Sequence, residues 1–91
     1  MEIKWTDDDD ETGERRFIKA DRFAGFWKFH VRIKRRGEWV RLHPTIEMWK
    51  EVLDSMERRY RRREGVTEDD LKQVRRIIAE LRAKGHGEEE E

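Results

Sequence analysis

From Phe26 onward the chain alternates, with Trp27, Phe29, Val31 and Ile33 interleaved by Lys28, His30, Arg32 and Lys34. A period of two is the signature of a β-strand with one apolar and one polar face. Upstream, Ile18, Ala20 and Arg22 keep the same period. With Ala24-Gly25 as a two-residue turn they come to lie beside Val31, Phe29 and Trp27, and Asp21 falls opposite Lys28. Downstream, a turn at Arg36-Gly37 sets Ile33 against Val40, Val31 against Leu42 and His30 against His43. A slip of one residue would send every apolar side chain to the wrong face, so mutual agreement of the segments argues for a sheet. Ile3 and Trp5 in "EIKWT" suit a further short strand, and the acidic stretch 7–13 reads as a loop.

After Pro44 the period changes. Ile46, Trp49, Val52, Leu53, Met56 and Tyr60 recur at spacings of three and four, predicting an amphipathic helix over 45–64. A second helix is predicted over 67–84, with Leu71, Val74, Ile77, Ile78 and Leu81 as its apolar stripe. Thr67 is its cap, acids fill its first turn where the helix dipole favours them, and Val66 and Leu71 occupy the two positions of a hydrophobic staple. Gly85 is placed to end it. The expectation is a single α+β domain over 1–91: an antiparallel sheet of three or four strands, mainly within 14–43, then a two-helix hairpin packed on one face and an acidic tail at 85–91.

Composition limits what such a domain can do. Only 34% of the 91 residues are hydrophobic, enough for one modest core. The 22 bases and 22 acids cancel, yet they are segregated. Residues 1–13 hold one base and six acids, residues 14–65 sixteen bases and eight acids, and residues 66–91 five bases and eight acids. A basic middle is bracketed by acidic ends. With no cysteine there is neither a disulfide framework nor thiolate chemistry. No apolar run reaches the length of a signal-peptide core or a membrane span, which sets the expectation of a cytoplasmic protein with no membrane partner. Many charges with few amides is the pattern of heat-adapted proteins, and equally of a GC-rich genome or an engineered sequence.

The polar face of the sheet is the leading site. Planar side chains can stack on bases while Lys and Arg neutralise phosphates, and a sheet displays both together. The residues expected to bind nucleic acid are Phe26, Lys28, Arg32, Lys34, Arg35, Arg36, Trp39 and Arg41. Arg59, Arg62 and Arg63 join them from "RRYRRR", where like charges four apart weaken an isolated helix unless an anion relieves them. The opposing account keeps the same face as solvated surface, or as packing beneath the first strand or across a homodimer.

Other constellations are weaker. Asp8, Asp10, Thr12 and Gly13 match four positions of a calcium loop, but position twelve is Lys19 where a bidentate Glu is needed. His30 and His43 could share acid and base roles, yet no third ligand or nucleophile accompanies them. No catalytic residue, metal or cofactor is expected. The reading is a non-enzymatic nucleic-acid-binding protein, for DNA or RNA. Its rivals are an interaction module whose acidic runs imitate phosphates, and an engineered fold with no evolved function; "TEDDLKQVRRIIAELRAK" is close to an idealised helix.

Overall fold

The computed structural model describes residues 1–9, 11–33 and 37–85. It has an α+β fold with the strands first: a four-stranded antiparallel sheet followed by two helices. The chain divides into two compact units, Met1–His43 and Pro44–Glu91.

In the first unit the strands are β1 (Glu2–Asp8), β2 (Arg15–Phe23), β3 (Phe26–Arg32) and β4 (Val40–Leu42), and they neighbour one another in chain order. β2 and β3 pair as the alternation predicts, with Ile18 opposite Val31, Ala20 opposite Phe29 and Asp21 opposite Lys28. Their connection is Ala24-Gly25 with φ of 54° and 83°. Two successive positive φ values make the type I′ turn whose twist matches a right-handed hairpin. Ile3, Ile18, Ala20 and Phe29 are buried and share one face.

Two expectations need correction. β1 continues through Asp7 and Asp8, two residues of the stretch 7–13 expected as a loop. They are held there by facing Arg16 and Arg15, and Arg16 grips the Asp7 carboxylate with Nε and Nη2 at 2.9 and 2.8 Å. β4 also pairs two residues away from the expected register. Phe29 faces Leu42, His30 faces Arg41 and Val31 faces Val40. β3 ends at Arg32 and pairing resumes at Val40, while Arg36 of the expected Arg36-Gly37 turn lies outside the described residues. A shift of two preserves which face each side chain occupies, but it parts His30 from His43.

Asp9 organises the connection between β1 and β2. Its Oδ1 accepts from the N–H groups of Glu11 and Thr12 at 2.8 and 3.2 Å, and its carbonyl accepts from Gly13 N–H, where φ is +76°. Those two donors hold the Asp9 carboxyl below its usual pKa, since they favour the charged form. Among the described residues no group of three or more His, Asp or Glu is arranged to hold a metal ion; Asp10, a member of the calcium-like pattern, lies outside them.

The second unit is a helical hairpin of α1 (Ile46–Arg61) and α2 (Glu68–Ala83). Thr45 caps α1 by accepting from Met48 N–H. Thr67 caps α2 in a reciprocal box with Asp70, in which the carboxylate takes the role usually given to Glu or Gln. Met48, absent from the predicted stripe, is buried beside Ile46, Trp49, Val52 and Met56, whereas Tyr60 is exposed. On α2, Leu71, Val74 and Ile78 are buried. Arg58 pairs with Asp54 one turn earlier, and Glu57 accepts from Arg75 of the other helix at 2.9 Å. Neither helix is long and apolar enough to cross a membrane.

Candidate functional site

The face opposite Ile3, Ile18, Ala20 and Phe29 carries the side chains of interest. Registers on both sides of β2 and β3 align Lys4, Lys19, His30 and Arg41 as direct neighbours, one from each strand. Strands lie about 4.8 Å apart, so this row crosses the sheet over roughly 14 Å. Like charges directly opposite one another destabilise a sheet. Within the row the directly opposed like charges are Lys4 and Lys19, which is unfavourable for that pair in the isolated fold.

The next row holds Thr6, Phe17 and Arg32, and Trp39 joins it from the segment before β4. The Arg32 guanidinium lies 4.5 Å from the Trp39 ring centre and 5.5 Å from that of Phe17, while Lys19 Nζ lies 4.6 Å from Trp39. Aromatic quadrupoles attract cations at such distances, by about 0.5–1 kcal/mol where water has access. The rings therefore favour the observed positions of Lys19 and Arg32. Arg32 Nε is shielded from water with no hydrogen-bond partner among the described residues, so the rings account for its placement better than any acceptor does. Lys4, Thr6, Phe17, Arg32 and Trp39 contribute to the walls of a shallow cavity of about 240 Å³.

On the other side of the basic row, Glu2, Asp21 and Lys28 lie side by side. Lys4 Nζ is 3.8 Å from Glu2. Past that rung the hairpin ends in Phe23 and Phe26, facing each other and 86% and 74% exposed.

The expected site residues fall into three groups. Phe26, Lys28, Arg32, Trp39 and Arg41 share the face just described. Lys34, Arg35 and Arg36 lie outside the described residues. Arg59, Arg62 and Arg63 belong to the helical unit, at the end of α1. There Arg61 and Arg63 line a cavity of about 540 Å³ with Tyr60, Gly65, Val66 and Thr67. The first turn of α2, which follows Thr67, carries Glu68, Asp69 and Asp70, whose charges oppose an anion at that helix end.

Two features differ from the sequence reading. Trp39 is not an open stacking platform, because two cations already lie against its ring. Lys4 and Lys19, not among the residues expected to bind nucleic acid, lie on the same face. Alternation about Ile3 and Trp5 already puts Lys4 on the polar face, but only the β1–β2 register sets it beside Lys19. The acidic run is partly committed as well, since Asp7 and Asp8 bind Arg16 and Arg15.

Compared with known protein families, curated proteins and solved structures, the chain matches none.

Proposed function

We propose that this is a non-enzymatic nucleic-acid-binding protein whose contact surface is the basic face of the sheet. The observation that carries the reading is the Lys4–Lys19–His30–Arg41 row. Lys4 and Lys19 face each other across β1 and β2 and Arg41 lies two strands further along the same row, so a polyanion laid along it meets several cations at once. Arg32, held near the Phe17 and Trp39 rings, adds a further cation that has less freedom to lose on binding. Phosphate contacts of this kind position a strand without reading its sequence.

The rival surface, acidic segments imitating phosphates, is weakened by the ion pairs of Asp7 and Asp8. The test is fluorescence anisotropy with labelled single-stranded and duplex DNA and RNA over a salt series. A row that neutralises about three phosphates gives a log–log salt slope of roughly −2 on single strands, at about 0.7 per phosphate. Replacing Lys19 and Arg41 by Ser should flatten that slope by about 1.4. Absence of binding at low salt, or a slope near zero, overturns the reading.

A further inference from the structure

Of the four aromatic residues on the basic face, two are already engaged. Arg32 lies against Phe17 and Trp39, and Lys19 lies against Trp39. The remaining pair, Phe23 and Phe26, is 86% and 74% exposed. These are the most exposed large apolar side chains among the described residues, and folding leaves their burial unrealised.

Their place in the sheet is equally specific. β1 reaches only to Asp21 on β2, with Met1 exchanging backbone hydrogen bonds with Arg22, and β4 reaches only to Phe29 on β3. The Phe23–Phe26 rung lies beyond both flanking strands. It is the end of a two-stranded ribbon, tipped by the small residues Ala24 and Gly25, so nothing at the turn shields the rings. Lys28 stands one rung behind on the same face. The basic row follows four residues along β2, about 13 Å away at roughly 3.3 Å per residue.

We infer that Phe23 and Phe26 form a base-contacting wedge: with a nucleic-acid backbone held on the basic row, the two rings enter or cap the base stack. This rests on the reading of the sheet face as the nucleic-acid interface. Apolar side chains at the end of an element that grips phosphates are a general means of unstacking a base step, and flat rings add stacking that tolerates any base. Charge complementarity selects the occupant. The rings share a face with Lys19, Lys28, Arg32 and Arg41, so a polyanion that also offers planar apolar surfaces meets both halves of the site at once.

The experiment uses the full chain with oligonucleotides carrying 2-aminopurine, whose fluorescence reports unstacking, and anisotropy in parallel. Wild type should change the 2-aminopurine signal on binding. The Phe23→Ala/Phe26→Ala variant should lose that change and bind roughly five- to one-hundred-fold more weakly, with an unaltered salt slope. Phe23→Leu/Phe26→Leu keeps apolar bulk without planarity and should lose most of the same signal, which guards against an effect of folding in the alanine variant. Wild type that binds without a 2-aminopurine change, with Phe variants of unchanged affinity, overturns the wedge and leaves the phosphate reading standing. Failure of wild type to bind at low salt overturns both. The wedge is equally overturned if the Phe variants instead abolish binding to phosphatidylserine vesicles, or convert a sedimenting dimer to monomer, with nucleic-acid affinity unmoved.

Discussion

Arg63 adopts a backbone conformation that arginine disfavours, and replacing it with glycine should stabilise the helical unit. Its φ is +60°, in the left-handed region. The reason is the way α1 ends: Glu64 N–H donates to the Arg59 carbonyl at 2.9 Å and Arg63 N–H to that of Tyr60 at 3.0 Å. These are the two bonds of a Schellman motif, and Arg63 stands where glycine is usual. A side chain in this region costs roughly 1–2 kcal/mol, whereas glycine forfeits roughly 0.5–1 kcal/mol through its greater freedom when unfolded. Arg63→Gly should therefore gain about 0.5–1 kcal/mol. That corresponds to a rise of roughly 3–6 °C in Tm for a domain of this size. Arg63→Ala is the control, because it removes the guanidinium while keeping a Cβ in the strained region. Urea unfolding followed by far-ultraviolet circular dichroism should move the Arg63→Gly midpoint upward at constant m, well beyond that of Arg63→Ala. A glycine variant no more stable than the alanine variant would refute the strain argument. Nucleic-acid affinity supplies a separate readout: if Arg63 contacts phosphate, both variants weaken binding equally.

The same reasoning applies to Ala24, whose φ is 54° at the first central position of a type I′ turn. Ala24→Asn should stabilise the hairpin by about 0.5–1 kcal/mol, read as a rise in Tm, and an unchanged or lower Tm would count against it. For Asp9 the sign is fixed by the lowered pKa. Its bonds from Glu11 and Thr12 contribute stability above the ordinary carboxylate range, and this contribution is lost as pH falls through the lowered value. A carboxyl titration by NMR should find Asp9 below the usual Asp value, with the Glu11 and Thr12 amides moving together with it; titration at or above that value contradicts the loop geometry.

How far the sequence discloses this protein depends on which interactions are periodic. The faces of β2 and β3 follow from alternation, and the β2–β3 register follows from a turn whose two residues can be seen. The β3–β4 register does not, because matching the apolar residues is satisfied equally well by Val31 facing Leu42 or, as observed, Val31 facing Val40. Since the error is two residues, Arg41 stays on the correct face but acquires a different neighbour. This is why the basic face is legible and the row within it is not. The ring contacts of Lys19 and Arg32 with Trp39 are likewise hidden, because they join residues twenty and seven apart along the chain. In the helices the cap at Thr67 announces itself, while the cap at Thr45 and the left-handed end of α1 do not, the latter because an arginine stands where a glycine would have marked it.

The order β1-β2-β3-β4, followed by α1 and α2, also bears on how quickly the chain reaches its native form. Every strand pairs with the one before or after it in sequence, and the helices are consecutive too. No crossover has to close a long loop before its contacts are rewarded. Low mean separation between contacting residues goes with rapid folding, and among sheet-containing proteins a meander is the arrangement that keeps it low. The β2–β3 hairpin, with the shortest connection in the sheet, is the natural first event, on a scale of about 1–10 μs. β1 and β4 can then each add to an edge that already exists.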